Sequence, residues 1–296
     1  MNKGGLQGKF IPWHYAIAAN IRQVSLQEMA VDAQLMASAV IDSAKLFNPP
    51  ALCMNFDPTL WAEAAGCATD WGSLSPCTMP GGSADPNPDL VRECPRVTTL
   101  IDAIQRVKGT LPQQPLACAM AGPATIAYSL EIGQPASTMD QFTVGELITE
   151  YVNVLCEHRI DNLVVIESAN IEDHELAPWV ASKQYSRIAK LANHYSVDTT
   201  LLCPQASLNE EQIREFDAFT FVVANAEQTI QAKLTHAIKG ITVDGFGSGH
   251  VTLPSGLDAL QKGQYFLTAR WDLDPESDFA NVQQDIATVT SFLEKQ

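Results

Sequence analysis

Short β-rich apolar runs that alternate with helical patterns are the feature of this sequence that most limits its fold. Seven such runs occur along the chain, at Leu52–Phe56, Leu116–Ala121, Leu163–Glu167, Thr199–Cys203, Ala218–Val223, Gly240–Asp244 and Gln264–Ala269. Apolar residues at three- and four-residue steps predict helices over Thr143–His158, Pro178–His194, Asn209–Phe216 and Ser277–Leu293, with Asn209 and Ser277 as N-caps. This alternation indicates a parallel sheet that is covered by helices.

The length and continuity of the pattern favour one α/β barrel. The chain has 296 residues without a linker-like composition or an internal repeat, and α/β barrels routinely use about 250 residues as one domain. We therefore predict a single (β/α)8 barrel of the TIM type over residues 1–296, with an eighth strand that the pattern does not locate. A Pro- and Gly-rich excursion at residues 66–96 is expected to pack over the barrel mouth.

A doubly wound open sheet is the alternative architecture. Such a sheet usually has a glycine-rich phosphate-binding turn after its first strand, and Phe56–Thr59 does not provide one. The GFGSG segment at Gly245–Gly249 follows a predicted strand but lacks the full dinucleotide-binding pattern. We interpret it as a flexible loop.

The charge balance limits the partners of the protein. Lys and Arg total 18 and Asp and Glu total 34, which gives a formal charge of −16. A surface of this kind repels nucleic acids and anionic membranes, so a small-molecule substrate is the expected partner. The seven cysteines are not spaced as a disulfide or zinc framework, and they indicate free thiols in a reducing cytoplasm.

Polar residues at the ends of the predicted strands identify a candidate pocket, because parallel barrels place their active sites at the carboxyl ends of their strands. Each of these residues has a local alternative role as a helix cap or loop anchor, but together they favour a functional site. The set contains Asn55, Asp57, Gly122, Glu167, Ser168, Cys203, Asn225, Asp244, Arg270, Trp271 and Asp272.

Five dispersed motifs carry a family resemblance. They are Phe56-Asp57 followed by AEAAG up to Gly66, AGPATIA at 121–127, CEHRIDNLVVIE at 156–167, LLCP at 201–204 and WDLDP at 271–275. In this order they resemble motifs of the uroporphyrinogen decarboxylase superfamily, which includes the methylcobalamin:coenzyme M methyltransferases. The resemblance implies a (β/α)8 barrel of that kind, an enzyme that acts on a small molecule, and a corrinoid protein as a candidate partner.

The sequence departs from the decarboxylase pattern at several substrate-binding positions. The family's arginine-rich opening segment corresponds to residues 11–18, which contain no arginine. Ser129 takes the place of the family's substrate-contacting tyrosine, Tyr128 precedes it, and Trp271 occupies the position of the closing histidine. A tetrapyrrole with eight carboxylates needs several guanidinium partners, so we do not expect decarboxylation of uroporphyrinogen itself.

The sequence also departs from the zinc site of the related methyltransferases. The family ligands, a histidine and two cysteines, correspond here to Leu201, Cys203 and Trp271. One thiolate does not make a zinc site, so we predict no cofactor and no metal. A rebuilt zinc site in which Cys203 acts with His174 or His250 is the alternative.

The sequence therefore predicts a uroporphyrinogen decarboxylase-like enzyme of the one-carbon (methyl) transfer branch, with a diverged metal site. Asp57 would act as an acid or anchor a substrate nitrogen or hydroxyl, Glu167 would orient polar groups, and Arg270 would hold a carboxylate. The predicted substrate-binding residues are Asn55, Tyr128, Ser129, Cys203, Asn225, Asp244 and Trp271. The alternatives are a decarboxylase-type lyase that acts on a small acid, and a non-catalytic barrel that binds a ligand.

Overall fold

The computed structural model of the chain describes residues 7–72, 77–78, 86–130, 140–261 and 264–295. The strands are β1 (Phe10–Ile11), β2 (Leu52–Met54), β3 (Thr69–Asp70), β4 (Cys77–Thr78), β5 (Leu116–Ala121), β6 (Asn162–Ile166), β7 (Asp198–Leu202), β8 (Phe221–Val223), β9 (Ile238–Val243) and β10 (Tyr265–Ala269). The helices are α1 (Tyr15–Ile21), α2 (Leu26–Val31), α3 (Ala33–Phe47), α4 (Thr59–Ala64), α5 (Pro95–Thr110), α6 (Pro123–Leu130), α7 (Gln141–Cys156), α8 (Asp173–Ala181), α9 (Gln184–His194), α10 (Glu210–Phe216), α11 (Ala226–Gln231) and α12 (Phe279–Lys295).

Eight of the strands form one parallel sheet, and the β3–β4 pair is a separate antiparallel ladder. The order within the large sheet is β1-β10-β9-β8-β7-β6-β5-β2, which is the chain order around a ring. With helices between the strands, this arrangement confirms the predicted TIM-type α/β fold. Each of the seven predicted apolar runs corresponds to a strand of this sheet.

The eighth strand is β1, which has only two residues. Phe10 pairs with Leu267 and Ile11 pairs with Thr268, both on β10. Two residues are too few to show a period of alternation, so the sequence pattern did not locate this strand. The strands β1 and β2 stand at the two ends of the hydrogen-bonded order, and Ile11 and Cys53 belong to the same buried cluster.

The predicted helices are present, with two differences. Asn209 caps α10 as expected: its Oδ1 accepts from the Gln212 amide at 2.9 Å, and Gln212 Oε1 accepts from the Asn209 amide at 3.0 Å. The segment 178–194 forms parts of two helices rather than one, because Lys183 between them has a left-handed φ of 59°. Asp278, not Ser277, caps α12, since its carboxylate accepts from the Ala280 amide at 2.7 Å. No helix within the described ranges is long and apolar enough to span a bilayer.

The glycine-rich loop at 245–249 is held by a buried carboxylate. Asp285 of α12 is 1% exposed, and its oxygens accept from the amides of Gly247 at 2.8 Å, Gly249 at 3.1 Å and Val251 at 3.2 Å. Both glycines have positive φ, 92° and 79°, which other residues rarely adopt. The loop therefore has fixed hydrogen-bond partners, unlike the flexible loop expected from the sequence, and these amides are already occupied by an anion.

We expect Asp285→Ala to lower the free energy of unfolding by about 2–4 kcal/mol, because one buried and two partly buried amides would lose a charged acceptor. Urea denaturation followed by circular dichroism measures this change. The matched control is Glu294→Gln, an exposed acid on the same helix, which is expected to change stability by less than about 0.5 kcal/mol. Equal stabilities for the two variants would contradict the structural role of Asp285.

Candidate active site

A cavity of about 540 Å³ opens at the carboxyl ends of β2, β6 and β10. This is the end of a parallel barrel at which active sites are built, and the volume suits a small organic molecule. The cavity is lined by Tyr15, Ala16, Leu26, Ala30, Phe56, Asp57, Pro58, Trp71, Ile166, Ser168, Ala169, Trp271, Asp272, Leu273, Asp274 and Pro275.

Aromatic rings and carboxylates dominate the lining of this cavity. The rings belong to Tyr15, Phe56, Trp71 and Trp271, and the carboxylates belong to Asp57, Asp272 and Asp274. No lysine or arginine is among the described lining residues. Residues 73–76 and 79–85, which follow Trp71 and lie outside the described residues, contain no lysine or arginine in their sequence.

Asp57 is held at the cavity wall by contacts on both of its oxygens. Its Oδ1 accepts from the amide of Thr59 at 2.9 Å and from the hydroxyl at 2.7 Å, contacts made at the start of α4. Its Oδ2 forms an ion pair with Arg96 of α5, whose side chain is 4% exposed. Asp57 is thus a fixed group rather than a freely moving acid.

Arg96 connects this carboxylate to two further groups. A second guanidinium nitrogen donates to Glu63 Oε2 at 2.9 Å, and Arg96 Cζ lies 4.7 Å from the centroid of the Trp71 ring. Burial alone would lower the pKa of Arg96, but Asp57 and Glu63 raise it overall. Arg96 therefore stays charged, and its charge is shared between two acids instead of being available to a ligand.

Asp272 joins the loop after β10 to the first turn of α1. Its oxygens accept from the amides of Tyr15 at 2.8 Å and Ala16 at 2.7 Å, and from its neighbour Leu273 at 3.0 Å. Burial raises the pKa of Asp272 from 3.8 to about 7, although the three amides act in the opposite direction. A carboxyl group with this pKa exchanges its proton near neutral pH, as a general acid or base requires.

The sequence and the structure each match a known group of proteins. The family model described as Uroporphyrinogen decarboxylase (URO-D) matches residues 14–164, about half of the chain. The chain belongs to the uroporphyrinogen decarboxylase family. Among solved structures, a methyltransferase from Methanosarcina mazei has 16% sequence identity and a TM-score of 0.73, over 95% of this chain and 92% of that chain. At this identity the likeness shows the shared fold, and no curated protein matches the sequence.

Among the ten predicted site residues, the structure places Asp57 and Trp271 in the lining of the cavity. Glu167 instead lies fully buried beside the lining residues Ile166 and Ser168. Its carboxylate accepts from the Tyr185 hydroxyl at 2.7 Å and from the Thr125 amide at 2.8 Å. Burial raises the pKa of Glu167.

The family motif AGPATIA is the segment that Glu167 holds. Thr125 and Ala124 at the start of α6 both donate their amides to it, and a Cβ atom on Gly122 would lie 2.3 Å from Glu167 Oε1. Two of the motifs that carry the family resemblance therefore meet at this contact. Glu167 anchors the strand-to-helix connection beneath the cavity.

The other predicted residues, six of the substrate-binding set and Arg270 of the catalytic set, lie outside the described lining. Asn55 donates to the Ala119 carbonyl at 3.1 Å, Ser129 donates to the Thr125 carbonyl at 2.8 Å, and Asn225 caps α11 at the Gln228 amide at 3.2 Å. The remaining four are Tyr128, which is half-buried, Asp244 and Arg270, which are exposed, and Cys203, which is buried. Asp244 pairs through its backbone with Thr252.

The residues present do not fit the zinc site of the related methyltransferases. Cys203 is fully buried, and burial raises the pKa of its thiol well above the usual value, which disfavours the thiolate that zinc requires. His174 and His250, the alternative ligands, are exposed, and His174 lies 3.3 Å from Glu172. Over the part of the chain that the structure describes, no group of three or more potential ligands is suited to a metal ion.

Tyr15, Phe56, Trp71 and Asp274 are cavity residues that the sequence analysis did not select. Phe56 adjoins the selected residue Asp57 and Asp274 lies two residues after Asp272, so a wider window at each strand end would have found them. Trp71 belongs to the excursion at 66–96, which was expected to cover the barrel mouth. Its ring lines the cavity, but residues 73–76 and 79–85 of the excursion lie outside the described residues.

The raised pKa of Asp272 predicts a pH-dependent stability. An acid whose pKa is raised by folding contributes stability that is complete at low pH and is lost as the pH rises, here between 3.8 and about 7. We therefore expect the unfolding free energy of the wild type, relative to Asp272→Asn, to fall by about 2 kcal/mol between about pH 5 and about pH 8.

Urea denaturation of both proteins at the two pH values measures this difference. The other titrating groups cancel in the comparison, because they are common to both proteins. A difference that is the same at both pH values would show that Asp272 titrates at its ordinary pKa.

Proposed function

We propose that this protein is an enzyme of the one-carbon transfer type, which moves a methyl group from a small organic donor bound in the barrel cavity. The observation that carries the proposal is the lining itself, in which four aromatic rings and three carboxylates occur without a described basic residue. The solved methyltransferase shares the fold but does not by itself assign the reaction.

The lining disfavours the substrate for which the family is named. Each carboxylate of an acidic substrate needs a cationic or amide partner when it leaves water. Arg96, which contacts the lining residue Asp57, is already paired with both Asp57 and Glu63. A donor without several carboxylates is therefore the better fit.

Asp272 can supply the proton that an ether donor needs, because the oxygen of an ether would otherwise leave as an alkoxide. An ammonium or sulfonium donor leaves as a neutral amine or thioether and needs no proton from the protein. As the methyl group leaves, its bond to the donor heteroatom breaks and the electron pair stays on that heteroatom. The lone pair of the acceptor forms the new bond to carbon, and the oxygen of an ether donor takes the proton from Asp272 as it leaves. With a pKa of about 7, the carboxyl group is partly protonated at neutral pH and regains its proton from water.

The acceptor comes from outside the chain. The six cysteines with described side chains are free thiols, and none is a lining residue of the cavity. Cys53, Cys118 and Cys203 are also fully buried, and burial raises the pKa of each thiol. An external nucleophile, either a small thiol or the reduced corrinoid of a partner protein, would accept the methyl group. Free thiols also agree with the reducing cytoplasm that we propose as the location.

The test is a transfer assay with methyl-deuterated ammonium, sulfonium and ether donors. Each donor is incubated with the protein and either a small thiol or reduced cobalamin, and the labelled product is measured by mass spectrometry. We expect saturable transfer from at least one donor. With an ether donor, Asp272→Asn is expected to lower kcat by about a hundredfold, since general acid catalysis contributes at least that much. With an ammonium or sulfonium donor, whose leaving group is neutral, the same variant is expected to lower kcat much less. The matched control, Glu276→Gln, changes an exposed acid four residues away and is expected to keep the wild-type rate.

Two results would contradict the proposal. One is the absence of transfer from every donor to both acceptors, and the other is transfer from an ether donor that Asp272→Asn leaves unchanged.

A lyase that decarboxylates a small acid is the second candidate, favoured by the same pKa of Asp272. In that reaction the carbon–carboxylate bond breaks, its electron pair stays on carbon, and Asp272 gives its proton to that carbon. Carbon dioxide release from small monocarboxylic acids, without methyl transfer, would favour the lyase over the methyltransferase.

A further inference from the structure

We infer that the cavity selects a cationic donor, and specifically the N-methylated ammonium group of a small molecule. The inference rests on the proposed function, since it names the substrate class of the same site. It comes from the rings and charges that surround the cavity.

Trp271 is a partly exposed aromatic residue of the cavity wall that packs against one buried cluster of the barrel. Its side chain is half-buried in the cavity wall, and its indole has neither a ring contact nor a hydrogen-bond partner within the described ranges. Trp71 already receives the Arg96 guanidinium at 4.7 Å, and the Phe56 ring lies 5.4 Å from that of Trp13. Trp271 is therefore the ring best placed to receive a ligand cation.

The fixed charges around the cavity favour a positive ligand. Asp57, Glu63 and Arg96 form one buried or half-buried group that carries two negative charges and one positive charge. Asp274, also in the lining, is exposed, and one of its oxygens accepts from the Glu276 amide at 2.8 Å. With Asp272 partly ionised, the lining sums to a negative potential that no described basic lining residue offsets.

The apolar walls favour a methylated ammonium group over other cations. Calcium and magnesium ions take six or more oxygen ligands in most sites, and a primary ammonium group needs three hydrogen-bond acceptors. Both oxygens of Asp57 and both oxygens of Asp272 already accept hydrogen bonds or an ion pair. A methylated ammonium group spreads its charge over its methyl groups, so it contacts aromatic faces without needing those oxygens.

The hydroxyl of Tyr15 is a polar group that can bind the part of the donor molecule beyond its ammonium group. Tyr15 is 3% exposed and lines the cavity, and its hydroxyl has no hydrogen-bond partner among the described residues. Burial and the nearby Asp57 raise its pKa, so the hydroxyl stays protonated. It can donate to a hydroxyl or ether oxygen on the donor.

The test compares two probes of the same shape and different charge. Choline carries a trimethylammonium group, and 3,3-dimethylbutan-1-ol replaces its nitrogen with carbon. Isothermal titration calorimetry with the wild-type protein at neutral pH is expected to give a dissociation constant for choline at least about tenfold lower than for the alcohol.

Three variants assign this preference to the cavity. Trp271→Leu is expected to weaken choline binding about tenfold and to change binding of the alcohol much less. Trp271→Phe, which keeps an aromatic face, is expected to restore most of the affinity. Phe142→Leu, which removes an aromatic ring that is 68% exposed and outside the cavity, is expected to have no effect.

The outcomes separate this inference from the proposed function. Equal affinities for the two probes, or no choline binding to the wild type, would overturn the inference even if the protein transfers a methyl group from a neutral donor. Choline binding that depends on the Trp271 ring, without transfer from any donor, would uphold the inference and contradict the proposed function. A choline affinity that Trp271→Leu does not change would place the cation elsewhere and overturn it.

Discussion

The carboxylate of Asp272 accepts the first amides of α1, and this contact ties the last strand-helix unit to the first. The strand that precedes α1 has two residues, so its own ladder to β10 holds this part of the ring weakly. The Asp272 contacts at 2.8 Å and 2.7 Å add a charged anchor at the point where the chain must return to its start. The same carboxylate lines the cavity, so the group that joins the last strand to the first helix is also an acid of the cavity whose pKa is about 7.

A second carboxylate in the cavity wall has the opposite environment. Asp57 is balanced by Arg96, which is itself shared with Glu63, whereas Asp272 has only amide donors. Amides lower the pKa of an acid less than a guanidinium does, so burial prevails at Asp272 and its pKa rises to about 7. Two acids in one cavity thereby have different surroundings: Asp57 is paired with a guanidinium group, and Asp272 is held by backbone amides alone.

The fold could be predicted from the sequence because its signals are local. Runs such as Leu116–Ala121 are long enough to show their pattern, and the structure has a strand at each of them. The two-residue β1 carries no period, and the break at Lys183 depends on one backbone angle. These features depend on tertiary packing, which a pattern of apolar residues does not contain.

The site was harder to predict, since strand-end placement does not say where a side chain points. Glu167 and Trp271 both follow strands, but Glu167 is fully buried against α6, whereas Trp271 lies in the wall of the cavity. The difference comes from donors on other elements, above all Thr125 and Tyr185. Trp71 comes from an excursion without periodicity, so only the assembled structure could place its ring in the cavity.

The carboxylate of Asp285 has a consequence for the choice of ligands. The turn it occupies, with amides from Gly247, Gly249 and Val251 pointing at one anion, is the kind of backbone concavity that other α/β proteins use for phosphate. A carboxylate on the same chain competes with dissolved anions at an effective concentration on the order of millimolar or more, without the entropy cost of capturing a free ion. Asp285 thus occupies the amides to which a phosphate group would otherwise bind at this loop. Replacing that acid with a neutral residue is a route by which the scaffold could acquire a new anionic ligand.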